Sequence, residues 1–502
     1  MLPADISFGT DGWRAVVGKD FTEENVRRVA SAIVRAFLDD LPKATDSSNR
    51  SNSCPLRIYV GYDTRADADL FAGIAADAML RASCSHEIVA QHNQKVEVIL
   101  SDRYVPTPTL CWTVAHDEYA IGGIQLTASH NPAGWLGVKV RMADGGASPA
   151  EFTDKVEALL AAEAPDPVSS DNSKLLTADI LSPYMDALCQ FVDVEAIRSA
   201  ELKLVVDPLH GAARSYLADM FESIGATVVR LHDDADPDFG GLHPEPIVPW
   251  TDAAAQLVRG SGAQAGFALD GDADRLGALD EDGNFVSPHY IIALLAQHLV
   301  QNRGCSGRIV KTLSTSVLVD RMGRALGAEV VTTPIGFKWI YAEMLAGDVL
   351  IGGEESGGIG IPSHVFERDG LLMSLLLAEM MAVTGQSLKS LVQQLEEKVG
   401  KLYYQRKDQK LEIAHMQRFR ACLPTLAPAT VAGTVVQHYV RSDGAKFLLP
   451  DDEWLLLRAS GTEPLVRIYA ESASLQRTEQ LIEAGYRLVQ EAALNDKNSQ
   501  NS

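Results

Sequence analysis

Three aspartates, Asp270, Asp272 and Asp274, occupy alternate positions directly after an apolar run. Gly271 lets the backbone turn tightly between them, so all three carboxylates can converge on one hard cation. Magnesium suits such a site, because it prefers oxygen ligands and keeps coordination positions for a phosphate oxygen. A calcium loop of the EF-hand type needs glycine at its sixth position, where this chain has Arg275. The segment therefore predicts a magnesium site rather than a solvated acidic turn.

Ser129 lies in a polar segment, Leu-Thr-Ala-Ser-His-Asn-Pro, that follows an apolar run containing glycine. An unaided serine is a weak nucleophile, but a phosphoserine carries about −1.5 to −2 charges and can donate its phosphoryl group. The same residues also fit an Asx- or ST-type turn, in which side chains hydrogen-bond the backbone. Local pattern alone leaves both interpretations open.

Three further turns carry groups that bind sugars or anions. Glu354 and Ser356 stand on a glycine-rich turn, where their oxygens can hydrogen-bond sugar hydroxyls. Near the N-terminus, Arg14 follows two glycines and can approach an anion. The third turn combines guanidinium, hydroxyl and glycine groups suited to a phosphate, with an ordinary hairpin turn as the alternative. Its members are Arg458, Ser460, Gly461, Thr462 and Arg467.

The elements that must position these turns follow a repeated pattern. Apolar, β-rich runs begin at Arg57, Lys203 and Arg308, and each is followed by a polar turn and a helix-like stretch. Such units build parallel α/β sheets, so we expect three related α/β domains. From Leu402 onward the pattern changes to strands at 434–439 and 454–458 and a helix at 475–492, which indicates an α+β module. The predicted domains are 1–168, 169–286, 287–398 and 399–502.

Composition limits the classes of function. The chain has 502 residues with a net charge of −23, which argues against nucleic-acid binding but leaves room for a small anionic substrate. No apolar run approaches the ~18 residues that span a membrane. The first residues lack the features of a signal sequence, so we expect a cytoplasmic protein that does not associate with membranes. The six cysteines are scattered, which predicts neither disulfides nor a zinc site.

Taken in order, these segments resemble the α-D-phosphohexomutase family of phosphoglucomutases, phosphomannomutases and phosphoglucosamine mutases. Further matching segments are Gly-Tyr-Asp-Thr-Arg at 61–65, Pro-Thr-Pro at 106–108, Asp-Pro-Leu-His-Gly at 207–211 and Gly-Phe-Lys at 336–338. The resemblance covers nearly the whole chain. It implies three α/β domains with mixed sheets and a C-terminal α+β domain around a central cleft.

The resemblance also implies roles for single residues. Ser129 carries the phosphate, which completes a magnesium site with Asp270, Asp272 and Asp274. The basic residues around the reaction centre are Arg14, His130, Lys139, Arg275 and Lys338, and a Lys or His among them takes the proton of the attacking hydroxyl. The residues that bind the substrate are Glu354, Ser356, Arg368, Arg458, Ser460, Gly461, Thr462 and Arg467.

The activity implied is interconversion of hexose 1-phosphate and hexose 6-phosphate through a hexose 1,6-bisphosphate, which also acts as activator. Gly358 stands where members using mannose or glucosamine have histidine, which favours glucose, with mannose as a further substrate. Leu136 replaces an asparagine that is common after the serine loop. Alternatives are a glucose 1,6-bisphosphate synthase, a non-catalytic phosphosugar-binding regulator and a metal-dependent phosphatase. The sequence leaves the oligomeric state open.

Overall fold

The computed structural model describes residues 6–9, 11–41, 54–87, 89, 94–161, 173–461 and 463–494. Its helices, in chain order, are α1 (Glu23–Asp39), α2 (Ala68–Cys84), α3 (Thr107–Ala115), α4 (Ala150–Ala161), α5 (Leu181–Phe191), α6 (Val194–Ser199), α7 (Tyr216–Ser223), α8 (Asp252–Ser261), α9 (Pro288–Gln301), α10 (Leu318–Leu326), α11 (Phe337–Ala346), α12 (Gly370–Thr384), α13 (Leu388–Val399), α14 (Ile413–Cys422) and α15 (Leu475–Leu494). Within the described ranges no single helix is long and apolar enough to span a membrane, although α12 and α13 pass that test together as a pair bent by 83°.

The first sheet has six strands in the order β1-β5-β4-β2-β3-β6. These strands are β1 (Trp13–Val16), β2 (Leu56–Tyr62), β3 (Val96–Ser101), β4 (Ala120–Leu126), β5 (Trp135–Met142) and β6 (Ser173–Ala178). Four neighbouring strands, β4, β2, β3 and β6, run parallel to one another, whereas β5 pairs antiparallel with both β4 and β1. Because β6 pairs in parallel with β3, the first sheet takes in a strand from beyond residue 168.

The second and third sheets repeat this plan of parallel strands with an antiparallel edge. The second, in the order β11-β10-β9-β7-β8, contains β7 (Lys203–Asp207), β8 (Thr227–Arg230), β9 (Ala265–Leu269), β10 (Leu276–Leu279) and β11 (Phe285–Val286). The third, in the order β13-β12-β14-β15, contains β12 (Arg308–Thr312), β13 (Val330–Thr333), β14 (Val349–Gly353) and β15 (Ile359–Gly360). The predicted strand starts at Arg57, Lys203 and Arg308 thus fall within or at the start of β2, β7 and β12.

The last part of the chain is antiparallel throughout. Its main sheet has the order β16-β22-β21-β20-β19, and β17 and β18 form a separate pair. The strands are β16 (Tyr403–Lys410), β17 (Thr430–Val431), β18 (Thr434–Val435), β19 (His438–Val440), β20 (Ala445–Leu448), β21 (Trp454–Ala459) and β22 (Leu465–Ser472). The strand predicted at 434–439 is therefore split between two different sheets. The fold class of three α/β units and a C-terminal α+β unit is confirmed.

Apolar packing joins the α/β units more closely than it joins them to the last unit. One continuous core contains side chains from the first three sheets, including Tyr59, Phe267 and Ile351. The last sheet has its own core against α14 and α15. Its other face contributes Trp454 to a small cluster with Leu313 of the third unit. In the α/β units, polar loops follow the carboxyl ends of parallel strands, which is where ligands bind in such sheets.

Candidate active site

Ser129 lies in the turn after β4 and is almost completely buried, with 1% of its surface exposed. Its backbone is left-handed, with φ of 51°, and its amide donates to Thr127 Oγ1 at 2.8 Å. The hydroxyl donates to Asp270 Oδ2 at 2.8 Å and lies 3.4 Å from His130 Nδ1. Ser129 is therefore part of a side-chain-bonded turn and also faces the aspartate segment, which lies 141 positions away in sequence.

The three aspartates occupy the loop after β9, and all three are fully buried. One carboxylate oxygen from each of Asp270, Asp272 and Asp274 lies within 4.8 Å of the others. A Cβ atom at Gly271 would stand 2.4 Å from the carbonyl oxygen of Ser129. Only glycine allows the two loops to approach this closely, so Gly271 brings the serine to the carboxylates as well as turning the loop.

The unpaired oxygens of this cluster fit a magnesium ion. Asp272 Oδ2 accepts from Thr107 Oγ1 at 2.6 Å and pairs with Lys139 Nζ at 2.7 Å, and Asp274 Oδ2 pairs with Lys139 at the same distance. The Oδ1 atoms of Asp272 and Asp274 are buried and have no hydrogen-bond partner. Buried carboxylate oxygens normally have a partner, and hard oxygen donors of this kind suit Mg²⁺. The residues present therefore fit the predicted metal.

The carboxylates differ in their preferred charge. Burial, followed by the charges of Asp274 and Asp272, raises the pKa of Asp270 well above its ordinary value. For Asp272, burial alone would raise the pKa, but Lys139 and the Thr107 hydroxyl outweigh it and lower the pKa. Without a cation, Asp270 thus favours its protonated form, whereas Asp272 stays ionised.

Lys139 is buried among the carboxylates of this cluster. Besides its two aspartate partners, its ammonium lies 3.0 Å from Asp11 Oδ2. Asp11 also accepts from Arg141 and Arg368, so it links the N-terminal segment to the metal loop. Sequence reasoning missed Asp11, although it lies within the Phe-Gly-Thr-Asp-Gly-Trp-Arg segment that contains Arg14. Its role depends on three basic partners that are distant in sequence.

The arginines of the predicted site fall at different depths. Arg368, expected among the substrate-binding residues, is buried and pairs with Asp274 Oδ2 at 2.7 Å and Asp11 Oδ2 at 2.8 Å. Asp369 accepts from the amide of Leu372 to cap α12, which fixes the backbone beside Arg368. Arg275 lies 3.8 Å from Asp274 Oδ1, and its Nε is buried without a hydrogen-bond partner.

Arg14 and His130 lie beside the serine turn. Arg14 donates to Asn131 Oδ1 at 2.7 Å, which ties the N-terminal segment to the residues that follow Ser129. Burial, followed by the cations of Arg275 and Arg14, lowers the pKa of His130 well below its ordinary value. The imidazole is therefore neutral near pH 7.

The predicted sugar loop packs against the metal loop. Gly358 forms a backbone bridge with Arg275, and the amide of Leu276 donates to Gly357 O at 3.0 Å. Glu354 is 6% exposed, and burial raises its pKa to about 7. Ser356 is half-buried on the same turn. The structure thus brings the sugar loop, which follows β14 of the third sheet, into contact with the aspartate loop of the second sheet.

The predicted phosphate loop lies in the last unit. Arg458 on β21 and Arg467 on β22 stand directly opposite each other. Arg458 Nε donates to Asp443 Oδ1 at 3.0 Å, and Asp443 Oδ2 accepts from the amide of Ile335 at 3.0 Å, just before Lys338. Ser460 is buried and Gly461 is exposed, whereas Thr462 lies outside the described residues.

The structure therefore places the predicted residues in two groups. Ser129, the aspartates, Lys139, Arg275, Arg368 and Glu354 form one cluster, with Arg14 and His130 at its edge. Arg458 and Arg467 form the other, and the ammonium of Lys338 lies 5.3 Å from the Trp339 ring centroid. Among the described residues, no hydrogen bond or ion pair joins Ser129 to the second group.

A buried serine facing a carboxylate triad and several arginines, at the strand ends of a multidomain α/β fold, is the arrangement of a metal-dependent phosphotransferase. The sequence matches the phosphoglucomutase/phosphomannomutase family in four consecutive stretches. These are alpha/beta/alpha domain I at residues 5–166, domain II at 182–283, domain III at 287–399 and the C-terminal domain at 405–487. The chain belongs to this family of phosphoryl-transferring mutases.

Individual relatives carry several different sugar names. A phosphoglucomutase/phosphomannomutase of Thermococcus kodakarensis is 30% identical over 97% of this chain and 98% of its own length. A phosphoglucosamine mutase of Frankia alni is 32% identical over 93% of this chain and 94% of its own length. A crystal structure from Thermus thermophilus, provisionally named a phosphomannomutase, is 33% identical, covers 97% of this chain and all of its own, and superposes with a TM-score of 0.81.

Proposed function

We propose that this protein is a phosphohexomutase that interconverts hexose 1-phosphate and hexose 6-phosphate, with glucose as its preferred sugar. The phosphoryl group moves through a phosphoserine at Ser129 and a hexose 1,6-bisphosphate intermediate. The observation that carries this proposal is the 2.8 Å contact between Ser129 Oγ and Asp270, beside two buried carboxylate oxygens that have no partner.

Asp270, Asp272 and Asp274 would hold Mg²⁺ together with the phosphate on Ser129. When bound, the metal supplies positive charge that neutralises the transferring phosphoryl group. The buried arginines act in the same direction, and Arg275 Nε is free to donate to a phosphate oxygen. Phosphoryl transfer needs this positioning and charge more than it needs covalent chemistry from the protein.

His130 is placed to exchange a proton with Ser129 Oγ, the oxygen that releases the phosphoryl group and later takes one back. It lies beside Ser129 Oγ and is neutral near pH 7. For Lys139, burial alone would lower the pKa, but the carboxylates of Asp11, Asp272 and Asp274 outweigh it and raise the pKa. Lys139 therefore keeps its proton and serves as a fixed cation.

Arg458 and Arg467 would hold the phosphate that does not react. Arg458 already pairs with Asp443, so the phosphate would bind chiefly to Arg467, which stands directly opposite on the neighbouring strand. The Nε atom of Arg467 is buried and has no partner, which leaves it available to such a ligand. Ser460 and Gly461 extend the same loop.

The preference for glucose rests on the space beside Gly358. A Cβ atom at this position would stand 2.3 Å from Cδ of Arg368. A histidine here, as the resemblance associates with mannose or glucosamine, would displace the arginine that pairs with Asp274. Glu354 and Ser356 thus face the sugar without a histidine beside them. Because relatives are named for glucose, mannose and glucosamine, the preference among these sugars is measured directly in the test below.

The test uses purified protein with Mg²⁺, a hexose 1-phosphate and a catalytic amount of the matching 1,6-bisphosphate. We expect hexose 6-phosphate to form, with the highest kcat/KM for glucose, and phosphate to map to Ser129. Phosphoryl transfer retained by Ser129→Ala would contradict the mechanism. Slow isomerisation, with glucose 1,6-bisphosphate accumulating from fructose 1,6-bisphosphate as donor, would instead identify a bisphosphate synthase.

A further inference from the structure

The side chain of Arg65 lies beneath the turn that carries Ser129. One terminal guanidinium nitrogen donates to the carbonyl oxygens of Ser129 and Asn131, both at 2.6 Å. The other donates to the carbonyl oxygens of Pro132 at 2.9 Å and Trp135 at 3.1 Å. A single side chain thus binds four backbone carbonyl groups of one turn, which matches the planar, multiple-donor geometry of arginine.

Arg65 is itself held from two sides. Its Nε lies 3.2 Å from Asp63 Oδ2, and its backbone amide donates to Asp63 Oδ1 at 3.0 Å. Its guanidinium carbon lies 4.8 Å from the ring centroid of Phe239, in the second unit. The side chains of Arg65 and Asp63 are 1% and 0% exposed. Arg65 therefore has little freedom to move, and its charge is largely balanced by Asp63.

The turn above Arg65 needs such support. A left-handed backbone at a residue other than glycine is strained and persists only where its surroundings impose it. Ser129 adopts this conformation, and its carbonyl oxygen is confined between Arg65 and Gly271. The same conformation directs the Ser129 hydroxyl to Asp270 at 2.8 Å.

We infer that Arg65, fixed by Asp63, is a positioning residue that sets the orientation of the Ser129 hydroxyl for phosphoryl transfer. The inference rests on the proposed function of Ser129. Arg65 contacts backbone carbonyls and none of the reacting atoms, so its effect is on geometry. A lysine at this position keeps the charge but is a point donor, and it cannot reproduce four hydrogen bonds from a planar fork.

Arg65→Lys tests this inference. We expect kcat to fall by about 10²-fold, the effect of a misplacement of roughly 1 Å at a reacting group. We expect KM for hexose 1-phosphate to stay unchanged, because the arginine pair at 458 and 467 lies in another unit. Arg57→Lys is the matched control: Arg57 lies on β2, the strand that leads into the Arg65 turn, and its carboxylate partners are Glu97 and Asp117. We expect Arg57→Lys to leave kcat unchanged.

Hydrogen exchange measured by mass spectrometry gives a readout that does not depend on activity. The amides of Asn131 and Trp135 donate within the turn, to Ala128 and Pro132. We expect peptides covering 127–136 to exchange faster in Arg65→Lys than in the wild type or Arg57→Lys. If the wild type proves inactive, the proposed function fails, but this measurement still tests whether Arg65 holds the turn.

Asp63→Asn is a second variant that keeps Arg65 and the side-chain volume. It places an amide where Arg65 Nε now meets a carboxylate oxygen, so we expect a smaller loss of kcat in the same direction. It decides the question if Arg65→Lys fails to fold. Unchanged kcat and unchanged exchange in the folded variants would overturn the inference. So would a loss of thermal stability with kcat per folded molecule preserved, because that would make Arg65 purely structural.

Discussion

Replacement of Arg467 by methionine should weaken substrate binding without weakening the fold. Arg467 faces Arg458 across one strand boundary and Asp408 across the other. The Asp408 carboxylate is already engaged by Arg406, at 3.1 and 3.2 Å. Arg467 Nε is buried without a hydrogen-bond partner. In the free protein, therefore, this guanidinium has an unpaired donor and lies opposite an arginine that is already paired with Asp443.

The size of the effect follows from the contacts that a phosphate would make. A hydrogen bond to a charged group contributes roughly 1.5–3 kcal/mol. Since about 1.4 kcal/mol corresponds to a tenfold change in affinity, Arg467→Met should raise KM for glucose 1-phosphate by about 10- to 150-fold. Thermal stability should stay the same or rise slightly, because the substitution removes a buried donor that has no hydrogen-bond partner.

The control is Arg477→Met in the same unit. Arg477 Nε pairs with Glu453 at 2.8 Å, and its other nitrogens donate to Ala432 O and Thr434 Oγ1. We expect this control to lower the midpoint of thermal unfolding and to leave KM unchanged. KM is measured with saturating Mg²⁺ and coupled detection of glucose 6-phosphate. Loss of stability in Arg467→Met with an unchanged KM would refute the assignment of this pair to substrate phosphate.

Four substitutions and the removal of the metal test the Ser129 cluster and the sugar loop. Ser129→Ala should abolish phosphoryl transfer and leave the purified protein without phosphate by intact mass. Chelation of divalent cations should stop the reaction, and added Mg²⁺ should restore it. Asp272→Asn should raise the Mg²⁺ concentration that gives half the maximal rate, because one negatively charged ligand is lost. Lys139→Met leaves buried carboxylates without their cation, a change that costs about 3–5 kcal/mol, so its unfolding temperature in chelator should fall and partly recover with Mg²⁺. Burial raises the pKa of Glu354 to about 7, so its carboxylate becomes protonated as the pH falls through 7. KM for the sugar phosphate should then rise towards pH 6. Glu354→Gln should remove that pH dependence.

Several parts of the fold could be predicted because their signals are local. The apolar runs at β2, β7 and β12 and the amphipathic C-terminal helix each lie within one stretch of sequence, and each was predicted close to its observed position. The prediction of a single strand at 434–439 was less accurate. Its residues fall in β18 and β19, which pair with different partners, and alternation of apolar residues carries no information on which partner a strand selects.

The candidate site likewise has a part that local sequence predicts and a part that it does not. Alternating carboxylates around Gly271 indicated a metal loop, because spacing within a single turn already determines that they can converge. Whether Ser129 was a turn residue or a phosphoryl carrier could not be decided from its neighbours alone. The fold adds that the hydroxyl meets Asp270, and that the two loops approach because Gly271 has no side chain.

The sequence by itself determined that this chain folds as three α/β units and an α+β unit, and that the candidate phosphate- and metal-binding groups stand on their loops. Only the tertiary structure showed that Asp11 pairs with three basic side chains, that Arg368 pairs with the metal loop and that Arg65 supports the Ser129 turn. The physical reason is the range of the interactions. Turns and strands depend on neighbouring residues, whereas a buried charge depends on partners from distant segments that only packing brings within hydrogen-bond distance.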